Sequence, residues 1–507
     1  MKIARVLSWT LLGLLGGWCV LCVTSFVDDR WRHFVDSALY VLTAKSLAAG
    51  EGYVYQGQPF FLRPPGLSWV LSFVEPDALA PRSMHLVIQG SAVAAVVAVM
   101  LAMRRLHGSV MGLVVALLVA VSPLTTGAFN KIFSGLPFLA LLFAGAWLVM
   151  PGRDGRQVGL WRGFAGAVLL AASLWMRSIG LLILPGLVLV DVFRKEGRRW
   201  QGAALAAVVF VLWVPWVSWA SSAAAEAPRP STQLGLFDYQ SAMFHVDKRD
   251  PDSALVDLDG WMARLVENVD GITETVGVVL VGTAEGPFPG LATLLLAAAI
   301  LFTWWRRRSL LDWYALTYCI VMLLYFTFVD RLLLGLVPMI YSSLLYSVEE
   351  LSKLWASGDQ ASRKPIYCVG LVAVLLLAVG GVRAPDTMKF DMVSSHNWEQ
   401  VDSVAAEWVR SNTEQGAPVL YLKAPVLAAL TDHPVYSYRN LPGTWPEGCP
   451  SVDWAIFTPN TSKNDRNEKA VRQRAGEPKL IACDWLVADG AGYRMVKNSL
   501  RVYDLRR

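Results

Sequence analysis

Charged residues are scarce in this chain, at 17% of 507 residues, against about a quarter in ordinary soluble domains. That deficit, together with 55% hydrophobic residues, argues against a conventional water-soluble globule and for a membrane protein. A large excess of one sign is missing too. A formal net charge of +5 on so long a chain does not suggest nucleic acid as a partner. Cysteine is sparse, at six residues, and no CxxC pair is joined by a second one, so a structural zinc site is not indicated. No internal repeat and no low-complexity tract is present.

What the chain does have is long apolar runs. Val6–Val27 is uncharged and long enough to cross a bilayer core of about 30 Å at 1.5 Å per residue. Lys2 and Arg5 precede it, as in a signal peptide, but no small-x-small cleavage site follows, so an uncleaved first helix is expected. Further runs are Met84–Met103, Ser109–Leu124, Phe133–Met150, Gly163–Met176, Ser178–Val190 and Gly202–Ala220. After a polar interval come Gly290–Trp305, Trp313–Val329, Leu332–Tyr346 and Ile366–Val382, which makes eleven in all. Several are shorter than a straight crossing requires.

The connections alternate in basicity. Arg104/Arg105, Arg153/Arg156/Arg162, Arg194/Lys195/Arg198/Arg199, Arg306/Arg307/Arg308 and Lys353/Arg363/Lys364 occupy every second one, with Lys2 and Arg5 at the start. The positive-inside rule makes these cytoplasmic, together with the N-terminus. Three exoplasmic pieces follow: a loop over 28–82, a loop over 221–289, and a soluble domain over 384–507 beyond the membrane region 1–383. In that domain Val404–Val409 reads as part of an amphipathic helix. Pro418–Lys423, Val435–Tyr438, Trp454–Phe457 and Trp485–Val487 read as short strands. The expected fold class is therefore a polytopic α-helical membrane protein with a small C-terminal α/β exoplasmic domain. Cys449 and Cys483 lie in that domain, where oxidation to a disulfide is permitted if it stands outside the cytoplasm.

The first exoplasmic loop is the most informative segment. Ser37–Ala49 reads as a helix with Asp36 or Ser37 as N-cap and Gly50 at its end. Leu39, Leu42 and Leu47 give it an apolar stripe, which predicts a helix lying on the membrane surface. Asp36 and Tyr40, four apart, share one face. Asp36, then AKSLAAGEGY, then Arg63-Pro64-Pro65-Gly66 together resemble the first loop of bacterial family-39-type glycosyltransferases. These are GT-C-fold relatives of protein O-mannosyltransferases and of the lipid A aminoarabinose transferase. FSGLPF (Phe133–Phe138), MRSIGLL (Met176–Leu182) and DRLLLGLVPMI (Asp330–Ile340) continue the resemblance in order along the membrane region.

The resemblance implies transfer of a sugar from a polyprenyl-phosphate donor to an acceptor hydroxyl on a glycan, lipid or protein. The reaction would take place at the exoplasmic face of a bacterial inner membrane. It also implies an aspartate base in the first loop, and Asp36 is the best match. The family often shows Asp-Glu at the loop start, whereas this chain has Asp28-Asp29 and then Asp36-Ser37, so all three aspartates stay candidates. Departure of a lipid phosphate needs cations. Arg63, Arg177 and Arg331 suit bidentate phosphate binding, with Lys131 behind them and Tyr40 positioned beside Asp36. Each has a plainer reading as well. Asp36 is open to being a cap, Asp28 and Asp29 to being solvated flank charges, Arg331 to local contacts with Asp330, and Arg177 to snorkelling. Arg63 is open to simply pinning the loop before Pro-Pro.

Other features have ordinary explanations. Trp9, Trp161, Trp216, Trp219, Trp304, Trp305 and Trp313 flank runs as interfacial belts do. His85 and Gln89 share a face, as an interhelical hydrogen bond requires. Asp247, Asp250, Asp252, Asp257 and Asp259 lack EF-hand spacing, so a solvated loop is expected; no cofactor is assigned, although a divalent metal stays open. Two other functional readings remain: a lipid-linked-glycan flippase or transporter, and a non-catalytic scaffold of the same fold.

Overall fold

The computed structural model describes residues 2–25, 31–129, 131–151, 158–193, 200–226, 243–246, 253–325, 330–355, 364–421, 423–437, 454–457, 479–483 and 500–504. Asp28, Asp29, Cys449, the strand expected at Trp485–Val487 and the acidic residues Asp247, Asp250 and Asp252 lie outside the described residues.

The apolar runs are helical. The first is α1 (Lys2–Ser25), followed in the first loop by α2 (Val35–Ala48), the hairpin β1 (Val54–Tyr55) and β2 (Gln58–Pro59), and α3 (Gly66–Leu71). Then come α4 (Arg82–His107), α5 (Ser109–Val121), α6 (Pro123–Thr126), α7 (Gly135–Val149), α8 (Leu160–Met176), α9 (Leu184–Val192) and α10 (Gln201–Glu226). The series continues with α11 (Leu258–Leu280), α12 (Phe288–Arg307), α13 (Leu310–Leu324) and α14 (Val337–Trp355). Among the described residues, four helical stretches are long and apolar enough to cross a membrane: Arg82–His107, Gln201–Glu226, Phe288–Arg307 and Asp330–Leu354. Further apolar helical segments among the described residues span 10–17 residues. Val6–Val27, read as one crossing, falls in the 24-residue α1 as far as Ser25.

Small residues set the close crossing of α7 and α8. A Cβ on Gly145 of α7 would stand 2.8 Å from Leu170 Cγ and 3.0 Å from the Gly166 carbonyl. One on Gly166 of α8 would stand 2.6 Å from Val149 Cγ1 and 3.0 Å from the Gly145 carbonyl. Backbones approach this closely only where side chains are missing, which is how apolar helices pack without a hydrophobic driving force between them. Replacing Gly166 with leucine should force α7 and α8 apart. Overpacking of this kind costs about 1–3 kcal/mol, so the melting temperature of the detergent-solubilised protein should fall; an unchanged melt would refute the close crossing. Gln89 bonds a turn rather than a second helix, donating Nε2 to the carbonyl of Phe129 between α6 and α7 at 2.8 Å.

One long helix spans the change of composition at residue 384. α15 (Lys364–Asn412) is a single 49-residue helix running through that position, about 74 Å long at 1.5 Å per residue. Its far end, with Ala405, Ala406 and Val409 fully buried, packs against α16 (Ala424–Thr431). Beside them lies a five-stranded mixed sheet of β3 (Val419–Tyr421), β4 (Val435–Ser437), β5 (Trp454–Phe457), β6 (Lys479–Cys483) and β7 (Leu500–Asp504), in the order β4-β3-β5-β7-β6. β4, β3 and β5 are parallel, while β7 is antiparallel to both β5 and β6. Three of the strands coincide with those read from alternation, and β6 and β7 were not anticipated.

Candidate active site

α2 begins at Val35, two residues earlier than its sequence suggests. Phe34 is the N-cap residue, and no side chain caps the helix, so neither Asp36 nor Ser37 does what its position implied. Asp36 sits in the first turn, where a negative charge suits the helix dipole. Its carboxylate is engaged elsewhere: Oδ2 pairs with Arg331 Nη2 at 2.5 Å, with the Asp36 side chain 23% and the Arg331 side chain 40% exposed. The expected membrane-surface setting is also revised. Ser37, Ala38, Leu39, Tyr40, Val41, Thr43, Ala44 and Ser46 are all buried, because α3 packs on one side of α2 and α16 on another.

Arg331 is presented by a short 3-10 helix, Asp330–Leu336. Asp330 does make the local contact open to it, accepting from the Arg331 backbone N–H at 2.7 Å. The guanidinium itself points away, to Asp36, and lies 5.0 Å over the Phe133 ring. Tyr318 Oη donates to the Leu332 carbonyl and Tyr314 Oη to the Gly335 carbonyl at 3.3 Å, which hold this segment to α13.

Arg177 and Arg63 reach the same place by two other routes. Arg177 follows the last residue of α8 in an extended conformation, φ −152° and ψ 124°, and its Nη1 lies 3.6 Å from where a Cβ on Gly135 would stand. A Cβ on Gly66 would lie 2.6 Å from the Trp175 carbonyl, so only glycine lets the Arg63-Pro64-Pro65-Gly66 turn abut the end of α8. Arg63 is buried, at 8% exposure, with Nη1 donating to the Leu62 carbonyl at 2.9 Å. Tyr53 Oη donates to the Arg63 carbonyl at 3.1 Å and packs its ring on Trp216 and Trp219. These two tryptophans thus support the loop as well as flanking a span, which interfacial preference alone did not reveal.

The electrostatic result centres on Asp36. Burial works to raise its pKa, and the positive charges of Arg331, Arg63 and Arg177 more than offset that, so the carboxyl is held below the usual carboxylate range. Tyr40, one turn along, exchanges a hydrogen bond with Ser134 of the FSGLPF segment at 2.9 Å. Lys131 holds its ammonium 4.9 Å over the Phe34 ring. Asp36, Arg331, Arg63 and Arg177 therefore converge. Among the described residues no group of three or more His, Cys, Asp or Glu side chains is placed to hold a metal ion. Asp257, one of the acidic loop residues, caps α11 by accepting from the Gly260 N–H at 2.8 Å.

One cluster had no signal in the sequence. Asp402 of α15, with 0% exposure, accepts from Tyr421 Oη at 2.7 Å and Lys423 Nζ at 2.9 Å, and bonds His33 Nδ1 at 3.3 Å. Arg32 pairs with Glu399 at 3.5 Å, Lys45 with Asp432 at 3.3 Å, and Gln56 Nε2 donates to the Val435 carbonyl at 2.9 Å. The segment that carries Asp36 is thereby tied to the C-terminal part of the chain.

No protein-family model matches the chain, and no curated protein does. Solved structures do. The chain is similar to ArnT from Cupriavidus metallidurans bound to undecaprenyl phosphate, with a TM-score of 0.54, 14% identity and 97% of each chain covered. The chain has the GT-C fold. A second GT-C structure, the archaeal oligosaccharyltransferase AglB from Archaeoglobus fulgidus in complex with an inhibitory peptide and a dolichol-phosphate, matches at a TM-score of 0.52 and 14% identity. That match covers 86% of this chain and 65% of AglB. At such identity the likeness is one of fold, as the GT-C resemblance of the first loop led one to expect.

Proposed function

We propose that this chain is an integral-membrane glycosyltransferase that moves a sugar from a polyprenyl-phosphate donor to an acceptor hydroxyl. The observation that carries this reading is the convergence of Arg331, Arg63 and Arg177 on the single carboxylate of Asp36. The two similar GT-C proteins were solved with undecaprenyl phosphate and with dolichol-phosphate, the kind of lipid phosphate that such a donor releases.

The chemistry follows from the groups. The acceptor oxygen attacks the anomeric carbon, and its proton passes to Asp36, ionised at neutral pH. The bond from the anomeric carbon to the phosphate oxygen breaks, and polyprenyl phosphate leaves with the electron pair. Its charge is met by guanidiniums already fixed in place, which is where preorganised cations help most. Arg331 pairs with Asp36 when the site is unliganded and turns to the phosphate when the donor binds. Tyr40 positions α2 through Ser134. The acceptor is a glycan, lipid or protein. In this reading all eleven apolar segments cross the bacterial inner membrane, with the N-terminus cytoplasmic and residues 384–507 exoplasmic.

Reconstituted protein supplied with polyprenyl-phosphate hexose or pentose and a panel of acceptors should release polyprenyl phosphate. Movement of labelled lipid across the bilayer with the sugar–phosphate bond intact would favour the flippase reading. Neither release nor movement would favour a non-catalytic scaffold.

A further inference from the structure

A second charged site lies at the other end of the bundle. α7 starts at Gly135, beside Arg177, and ends at Val149; its 15 residues separate the two ends by about 22 Å. At the Val149 end the ends of several helices enclose a cavity of about 500 Å³. Arg105, Arg307, Arg308 and Asp191 supply its charged lining, and Val149 and Leu187 are part of its apolar wall. Arg105, Arg162, Arg307 and Arg308, from the basic connections of the sequence, fall at this end, which the positive-inside rule makes cytoplasmic.

The charges do not cancel. Arg307 is neutralised by a two-pronged pair with Asp312, at 2.9 Å and 2.6 Å. Arg105 spends Nη1 on the Trp147 and Met150 carbonyls at the end of α7, both at 2.5 Å, and Arg162 Nη2 reaches the same two at 2.9 Å and 3.0 Å. Those carbonyls are neutral, so both guanidiniums keep their full charge. Asp191 accepts from the Gly202 N–H at the start of α10. Among the described residues, Arg105 and Arg308 against Asp191 leave one positive charge on the lining, and Arg162 beside it makes two.

Arg308 is the telling residue. It ends α12 in the left-handed conformation, φ 51° and ψ 36°, a position that helices usually give to glycine. Its guanidinium lies 5.2 Å over the ring of Phe193, another lining residue. The chain thus accepts an unfavoured backbone to set an exposed arginine at the cavity. A cavity of this volume, with an apolar wall and a net-positive rim at the cytoplasmic end of membrane helices, suits a phosphate group attached to an acyl chain. We propose that it binds the phosphate of an anionic phospholipid headgroup. This site is separate from the Asp36 cluster, and its occupancy does not depend on the transfer reaction.

Native mass spectrometry of the full-length protein, titrated with phosphatidylglycerol or phosphatidylcholine, tests it. Phosphatidylglycerol should be retained several-fold better. Arg308→Gly should cut that retention about five-fold, as loss of one near-surface cation does, with the melting temperature preserved because glycine suits the backbone. Arg308→Gln, which keeps the side chain's bulk, should do the same and stands in should the glycine variant melt early. If millimolar inorganic phosphate displaces phosphatidylglycerol and itself raises the melting temperature of the native protein but not of Arg308→Gly, the phosphate site stands with a free phosphate ester as its source. Equal retention of the two lipids overturns the proposal, as does phosphatidylglycerol retention unchanged in a normally melting Arg308 variant.

Discussion

Replacing Asp36 with asparagine is expected to lower sugar transfer by about a hundred-fold or more, the range a positioned general base contributes. The substitution keeps the shape of the side chain and an oxygen facing Arg331, so it removes charge and basicity while leaving the packing. The Arg331 pair is partly open to solvent, with side chains 40% and 23% exposed, so water screens it and its loss should cost little stability. Transfer should therefore fall while the melting temperature moves only slightly. Full turnover in a normally folded Asp36→Asn protein would exclude Asp36 as the base. The pH profile offers a second check. The three arginines hold the Asp36 carboxyl below its ordinary range, so it is ionised through neutral pH and protonates only below the usual value of about 3.9. Stability linked to this group is present above the unfolded pKa and is lost as pH falls through the lowered folded one. An Asp36-dependent acid limb in kcat/KM with its midpoint above about 5 would contradict that environment.

Asp402→Ala should be the most destabilising single change at the seam between the first loop and the C-terminal region. Asp402 is fully buried and bonds Tyr421, Lys423 and His33. Removing it takes one buried acceptor from the Tyr421 phenol, the Lys423 ammonium and the His33 ring together, and breaking such a group from one side costs about 3–5 kcal/mol. The melting temperature should drop sharply. Transfer should fall with it, because His33 leads into α2 only three residues before Asp36. Lys45→Ala provides the contrast. Its pair with Asp432 is exposed, at 30% and 72%, and such pairs contribute about 0–1 kcal/mol. Similar melts for the two variants would show that the buried cluster does not hold the seam.

The residues of the candidate site were partly legible because a membrane compresses the problem. Once the basic connections assign sides, Arg63, Arg177 and Arg331 stand out as cations on the wrong face, and a layer a few ångströms thick leaves them few places to be. The family resemblance put Asp36 ahead of Asp28 and Asp29, but no local rule did, because the pairing with Arg331 depends on how the Asp330–Leu336 helix is aimed. Local rules misjudged α2 for a related reason. Asp36 has the chemistry of an N-cap, but a guanidinium across the site competes for its oxygens. The stripe of Leu39 and Leu42 suggested one buried face, while α16, nearly four hundred residues further on, covers another.

The sequence by itself determined that the chain is built of apolar helices, in what order they come and which connections are basic. Those properties follow from hydrophobicity and charge, which act residue by residue against a bilayer. Only the tertiary structure decided that α15 runs unbroken past residue 384, that Asp402 locks to His33 across 369 positions, and that three arginines share Asp36. Such contacts depend on the relative placement of distant backbones, and no local pattern of residue types encodes that.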